Sequence, residues 1–185
     1  MSITIKQART SKQLVDILEH RHACHYHSDG KIVDHMDVLP STLNIVAYLD
    51  SSVVASARVT LYEKQNSFCN EPYDFSESCD KLNGLVGHLD MVALSLPEHL
   101  FSTIYTYLIK MCVYQVALKG FKYIFYSAPP TMYAELQALG FKNLADPQND
   151  ILPCILKTED FMKSFVSVFA DKEILRFQEV FYYTI

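Results

Sequence analysis

Residues 86–141 read VGHLDMVALSLPEHLFSTIYTYLIKMCVYQVALKGFKYIFYSAPPTMYAELQALGF, and this stretch decides the fold. Its apolar periodicity predicts a strand, a long helix, a second strand and a short helix, in that order. Two strands joined by one crossover helix are expected to lie parallel, as a βαβ unit. The first strand runs into Leu-Pro-Glu and the second into Ser-Ala-Pro-Pro. Because ligands of such units lie at the carboxyl ends of the strands, we expect the functional site there.

The composition predicts a single globular domain spanning residues 1–185. Half of the 185 residues are apolar and a fifth are charged, which allows a sizeable hydrophobic core. The net charge of −5 argues against a nucleic-acid partner, because phosphate binding requires a basic surface. The most apolar window contains Lys110 and Gln115, so we expect a buried helix there and no integral membrane span.

Cysteine and histidine usage predicts a reduced compartment and no metal site. The five cysteines are scattered without a Cys-x-x-Cys pair, and the N-terminus lacks an apolar signal core, so a cytoplasmic location is expected. One cluster contains His20, His22, Cys24, His25 and His27. Its spacing matches no zinc pattern, and we interpret it as the polar end of a helix.

The rest of the chain adds strands and helices around the central unit. We predict strands over 3–8, 43–49, 53–62, 151–156 and 177–185, helices from residue 10 and over 159–171, and a long surface loop over 64–83. Thr10 and Gln13 form a predicted capping box at the first helix. Pro153 predicts an edge position or a bulge for its strand. The pattern is that of an α/β (α+β) fold with a mixed central sheet and helices on both faces.

Two motifs resemble the GNAT superfamily of N-acyltransferases. The run ELQALGF at 135–141 is similar to the end of that family's fourth helix, and LSLPEH at 94–99 is similar to its entry into the cofactor-binding helix. The resemblance implies a single GNAT-like domain that uses an acyl thioester. GNAT enzymes usually continue with a glycine-rich loop that binds the pyrophosphate of coenzyme A. Here the glycine positions correspond to Thr103 and Tyr105.

A second set of residues resembles a subgroup of that superfamily. Arg21, the pair Asp34 and Asp37, and Arg58 after Ala-Ser-Ala are similar to residues of the acyl-homoserine-lactone synthases and the long-chain N-acyl amino acid synthases. The resemblance implies that these four residues bind the substrate. Both groups lack the glycine-rich loop and take acyl chains from acyl carrier protein. This implies acyl-ACP as the donor, with acyl-CoA as the alternative.

The same four residues have simpler interpretations. An arginine within a strand of valine, alanine and leucine needs an anionic partner, so we expect Arg58 to pair with Asp34 or Asp37. The two aspartates are otherwise typical of a solvated loop or a helix cap. Whether an Arg58 pair also contacts substrate stays open at this point.

Acyl transfer to an amine needs a proton acceptor and a polarised thioester carbonyl. Asp90 corresponds to the carboxylate of the subgroup's Glu-x-x-Arg pattern, whose arginine is replaced by Ala93. We predict Asp90 as the proton acceptor, with a simple strand-end ion pair as the alternative. The backbone amides of Val92, Ala93 and Leu94 are predicted to meet the carbonyl oxygen.

Two further roles, protonation of the leaving thiolate and binding of the donor, are assigned to residues that match the family less closely. The tyrosine that many GNAT enzymes use as general acid falls on Leu136, and Tyr133, one turn earlier, is the candidate replacement. On the long helix, Ser102 and Thr103 are candidates for contact with pantetheine or phosphate. Their alternative is the solvent edge of the helix.

Together these features predict an N-acyltransferase. It would move a fatty acyl group from an acyl-carrier-protein or acyl-CoA thioester to the amine of an amino acid or related small molecule. One alternative is an acetyl-CoA-dependent GNAT enzyme with a degenerate pyrophosphate loop. Another is a non-catalytic GNAT-derived binding or interaction protein.

Overall fold

The described residues form an eight-stranded mixed sheet with helices on both faces. A computed structural model describes residues 2–25, 35–62, 73–82, 84–168 and 180–184. The strands are β1 Ser2–Gln7, β2 Thr42–Leu49, β3 Ser52–Tyr62, β4 Val86–Leu94, β5 Tyr123–Ala128, β6 Lys142–Asn143, β7 Leu152–Lys157 and β8 Val180–Thr184. The helices are α1 Ser11–His25, α2 Ser76–Asp80, α3 Glu98–Leu118, α4 Tyr133–Ala138 and α5 Thr158–Val168, with 3-10 turns at His35–Val38 and Pro130–Met132.

The strand order is β6-β7-β5-β4-β3-β2-β1-β8, and among these described strands only the β4–β5 pair is parallel. Helix α3 makes the crossover between these two strands, which confirms the predicted βαβ unit. The β4–β5 ladder ends at the pair Leu89 and Tyr126, although both strands continue beyond it. The sheet therefore opens between the carboxyl ends of β4 and β5.

Two hydrophobic clusters cover the two faces of the sheet. Helix α3 packs on one face, where Ala57, Val59 and Leu89 meet Leu108 and other buried residues of the helix. On the other face a smaller cluster forms around Phe75 and the short helix α2. Full burial of a side chain such as Leu108 contributes about 1.5–3 kcal/mol, so the α3 side supplies most of the apolar stabilisation.

The locally encoded elements agree with the sequence. The hairpin of β2 and β3 turns at Asp50 and Ser51. The capping box is also confirmed, because the Gln13 amide donates to Thr10 Oγ1 at 3.2 Å and the Thr10 amide donates to Gln13 Oε1 at 3.1 Å. Along α1 the residues described as buried are Ile17, His20 and Arg21, so its inner face carries two polar side chains.

Some expectations need correction. The predicted loop over 64–83 contains α2, which is anchored by the buried side chains of Phe75 and Cys79. Pro153 does not lie in an edge strand, because β7 pairs with both β5 and β6. Its carbonyl accepts from the Leu144 amide at 2.9 Å, so its backbone nitrogen is on the side of the very short β6.

Candidate active site

A chain of four charged side chains crosses the sheet on the face covered by α1. Arg58 Nε and a terminal nitrogen of Arg58 each donate to one oxygen of Asp90 at 2.8 Å. The other terminal nitrogen of Arg58 lies 3.4 Å from Asp37, and Arg21 donates to Asp37 at 2.6 Å. Strand register explains the main pair, because Arg58 on β3 stands directly opposite Asp90 on β4.

Arg58 has one partner that was predicted and one that was not. Asp37 does contact Arg58, as expected, but the bidentate partner is Asp90. Asp34 lies outside the described residues. The sequence could not identify the pair with Asp90, because β3 and β4 meet only through the register of the folded sheet.

Asn44 completes the network and was not recognised from the sequence. It stands opposite Arg58 on β2, its Oδ1 accepts from Arg21 at 3.2 Å, and its Nδ2 donates to the backbone carbonyl of Asp37 at 3.0 Å. The available signal was an asparagine inside the apolar run of β2. A polar residue buried in a strand needs partners, and here Asn44 fixes the turn that carries Asp37.

The network is buried at one end and open at the other. The exposed fractions of the side chains are 0% for Arg21, 1% for Asp37, 4% for Arg58 and 21% for Asp90. Burial lowers the pKa of Arg21, and the adjacent Asp37 opposes that shift. Asp90 is therefore the most exposed side chain of the network.

A β-bulge follows Asp90 directly. The register between β3 and β4 shifts there, and Met91 adopts a φ of 48°. After the bulge, Val92 and Leu94 pack against the α3 core, whereas Ala93 stands opposite Ser56 on the α1 side. The three predicted amides thus belong to the strand segment that borders the opening between β4 and β5.

Two buried histidines lie on this side of the sheet, His88 on β4 and His20 on α1. His88 is fully buried on β4, and burial lowers its pKa, with Asp90 opposing and Arg58 reinforcing the shift. His20 on α1 places Nε2 2.9 Å from Ser95 Oγ and 3.5 Å from Cys24 Sγ. In the described part of the chain, no three His, Cys, Asp or Glu residues are grouped to hold a metal ion.

The N-terminus of α3 does not fit the pyrophosphate of coenzyme A. Residues 95–97 join β4 to α3 without a glycine, and Pro97 has no N–H to donate. Glu98 occupies the first turn, and Ser102 donates to Glu135 on α4 at 2.9 Å. Carboxylates at a helix N-terminus already satisfy its positive end, and they oppose a second anion.

The remaining predicted residues lie on α3 and α4. Thr103 and Tyr105, at the expected glycine positions, are inside α3 and not in a loop. Tyr133 opens α4 and packs, partly buried, against the α3 core, whereas Leu136 is fully buried. The sequence did not reveal that Tyr105 donates to Tyr126 at 3.3 Å across the α3 side, where burial raises the pKa of both phenols.

No protein-family model and no curated protein matches this sequence. Solved structures do match it. FeeM, an N-acyl amino acid synthase from uncultured soil microbes, is 8% identical with a TM-score of 0.70 over 91% of this chain and 98% of that chain. An acyl-CoA N-acyltransferase from Pseudomonas aeruginosa is 17% identical with a TM-score of 0.56 over 84% and 99%. A GNAT-family acetyltransferase from Streptococcus pneumoniae is 8% identical with a TM-score of 0.57 over 84% and 98%.

These similarities concern the fold. The chain has the GNAT fold, which confirms the mixed sheet predicted from the pattern of elements and agrees with the fold that the GNAT resemblance implied. An N-acyl amino acid synthase is among the proteins with this fold. No helix in the described ranges has the length and apolar character needed to cross a membrane.

Proposed function

We propose that this chain, which has the GNAT fold, is an N-acyltransferase that transfers a fatty acyl group from a carrier-protein or CoA thioester to the amine of an amino acid or related small molecule. The observation that carries the proposal is Asp90. Its carboxylate stands at the opening between β4 and β5, is oriented by two bonds from Arg58, and keeps 21% of its side chain exposed.

Asp90 acts as the proton acceptor. Each carboxylate oxygen has a second lone pair, so bonds from Arg58 leave room for an amine or a water. The amine nitrogen attacks the thioester carbonyl carbon, the C–N bond forms, and the C–S bond breaks to release the thiolate. The nitrogen loses its proton to Asp90, directly or through water.

The other predicted residues have supporting roles. The amides of Val92 and Leu94 stabilise the negative charge that develops on the carbonyl oxygen, whereas the predicted amide of Ala93 faces its partner Ser56 on β3. Tyr133 protonates the departing thiolate. Arg21, Asp37 and Arg58 form a buried framework that fixes Asp90, and with Asp34 they shape the acceptor side.

Of the two donors, the carrier-protein thioester is favoured by the α3 N-terminus. Glu98 lies in its first turn, Glu135 on α4 accepts from Ser102, and these carboxylates disfavour the pyrophosphate of coenzyme A. A carrier protein presents the same phosphopantetheine thioester without a free pyrophosphate. In that case Ser102 and Thr103 lie beside the pantetheine arm.

Product detection tests the function. The purified chain is incubated with dodecanoyl-carrier protein, dodecanoyl-CoA or acetyl-CoA and a panel of amino acids and simple amines. Mass spectrometry is expected to detect an N-dodecanoyl amide, with the carrier protein as the faster donor. An acetyl amide formed from acetyl-CoA alone would favour the acetyltransferase alternative. If no donor yields an amide with any amine, the enzyme proposal is wrong and a binding role replaces it.

A further inference from the structure

A serine on β5 lies where β4 and β5 separate. The last pair of the parallel ladder is Leu89 with Tyr126, so Asp90 and Ser127 are the next residues on the two strands. Adjacent strands are about 5 Å apart at their last pair. Ser127 is therefore the β5 neighbour of the candidate proton acceptor.

The two side chains point to the same face of the sheet. His88 and Phe125 are partners in the ladder, and the ring of Phe75 contacts both, with centroid distances of 5.5 Å and 4.8 Å. Side chains alternate along a strand, so residues two positions further on return to this face. Asp90 and Ser127 thus face the α1 side together, at the opening between the strands.

The backbone of Ser127 also faces this opening. Its partner on β7 is Pro153, whose carbonyl accepts from Leu144 on the opposite side. In an antiparallel ladder, two paired residues direct their N–H and C=O groups either toward each other or both outward. The N–H and C=O of Ser127 consequently point toward β4, beyond the end of the β4–β5 ladder.

The hydroxyl of Ser127 is buried and meets no hydrogen-bond partner among the described residues. Ser56 and Thr60 share that property, but they lie between paired strands in the interior of the sheet. Ser127 differs because one of its flanking strands has already diverged. A buried hydroxyl at such a position is suited to a ligand, since polar groups inside proteins are normally paired.

We propose that Ser127 and Asp90 together hold the acceptor amine and select primary amines. This inference rests on the proposed acyl transfer. A neutral primary amine has two N–H groups and one lone pair. One N–H donates to Ser127 Oγ and the other to Asp90, which takes that proton as the C–N bond forms. The lone pair then faces the thioester in the opening.

A secondary amine cannot satisfy both partners. An N-methyl amine has a single N–H, which Asp90 requires, so its methyl group meets the Ser127 hydroxyl and leaves that oxygen unpaired. The enzyme is therefore expected to acylate a primary amine much faster than its N-methyl derivative. This preference for the primary amine depends on Ser127 and not on the residues that bind the donor.

Kinetics of Ser127→Ala test the assignment. The donor is dodecanoyl-carrier protein, and the acceptor is the amine of the panel with the highest wild-type rate, together with its N-methyl derivative. Loss of one neutral hydrogen bond is expected to lower kcat/KM for the primary amine by about 3- to 10-fold. The KM for the donor stays unchanged, and the preference for the primary over the N-methyl amine decreases.

The control is Thr60→Val, which removes a buried hydroxyl from the same face but away from the opening. It is expected to leave the amine preference unchanged. Ser127→Thr should restore much of the wild-type rate, and Ser127→Cys, which keeps the volume, should behave like Ser127→Ala. Thermal melting of each variant separates these effects from loss of folding.

The outcomes separate the two proposals. If the wild-type chain forms no amide, the proposed function fails and the Ser127 inference fails with it. If the wild-type chain is active but Ser127→Ala matches Thr60→Val in acceptor kcat/KM and amine preference, only the Ser127 inference is overturned.

Discussion

The Arg58 side chain links Asp90 to Asp37, which is also paired with Arg21. It bonds both oxygens of Asp90 and lies 3.4 Å from Asp37. Removing one member of a buried ion network costs about 3–5 kcal/mol, mostly because its partners remain buried and charged. The network therefore fixes the orientation of Asp90, and breaking it is expected to destabilise the fold.

We predict that Arg58→Met lowers the free energy of unfolding by about 3–5 kcal/mol in guanidinium denaturation. Asp90→Asn in the same chain should recover part of that loss, because it removes one of the stranded charges. Lys81→Met, in the exposed Lys81–Glu77 pair, is the control and should change stability far less. Simple additivity of Arg58→Met and Asp90→Asn would contradict the coupling.

We predict that His88 contributes to the loss of folding stability at acidic pH. Burial lowers its pKa below the ordinary 6.5, so the folded state holds the ring neutral while the unfolded state binds a proton. The unfolded state then binds more protons as the pH falls below about 6.5, and stability decreases in that direction.

The measurement is the free energy of unfolding of the wild type and of His88→Phe between pH 7.5 and pH 5. The wild type should lose up to about 1.4 kcal/mol per pH unit more than the variant below pH 6.5. Parallel pH profiles for the two proteins would show that His88 does not titrate in this way.

At the scale of elements, the bulge in β4 sets the direction of the strand after Asp90. Met91 has a φ of 48°, a conformation that costs a non-glycine residue about 1–2 kcal/mol. A Met91→Gly substitution should leave stability unchanged or raise it by up to about 1 kcal/mol. Met91→Val should destabilise, because a β-branched side chain is least suited to this conformation.

The rate of amide formation tests whether the bulge at Met91 has a role in catalysis that an ordinary turn does not have. Asp50, in the β2–β3 turn, has a φ of 55° and is the matched control. Met91→Val is expected to slow amide formation by the folded protein, because it displaces the amides of Val92 and Leu94. Asp50→Val should destabilise without this effect. Equal specific activities for the two variants would argue against a role for the bulge in catalysis.

The short connection from β4 to α3 makes a prediction about the donor. Residues 95–97 contain no glycine, and Glu98 occupies the first helical turn. Dodecanoyl-pantetheine should therefore react with a kcat/KM within about threefold of dodecanoyl-CoA, since the nucleotide and pyrophosphate add little binding energy. A hundredfold preference for the CoA thioester would mean that another part of the chain binds the pyrophosphate.

Helices and strands could be predicted from the sequence where the residues that determine them are close together in the chain. The Thr10–Gln13 capping box and the β2–β3 hairpin depend on neighbouring residues, and both were predicted. The contact of Arg58 with Asp37 was predicted, but its bidentate partner Asp90 was not, because that pair depends on the register between β3 and β4.

At the scale of the whole molecule, the candidate site is assembled from distant parts of the chain. Arg21 comes from α1, Asp37 from a 3-10 turn, Arg58 from β3 and Asp90 from β4, and the sheet brings them into one continuous network. The GNAT fold could be predicted because residues 86–141 carry it in one stretch. The roles of individual residues required the three-dimensional arrangement, as Asn44 and Ser127 illustrate.

The central claim is that Asp90 accepts the amine proton during acyl transfer. The direct measurement is kcat/KM for amide formation from dodecanoyl-carrier protein, compared between the wild type, Asp90→Asn and the exposed control Asp80→Asn, with folding verified for each. A general base contributes about 10²- to 10⁴-fold, so Asp90→Asn should lose at least about a hundredfold while Asp80→Asn remains at the wild-type rate. An Asp90→Asn rate within threefold of the wild type would contradict the claim.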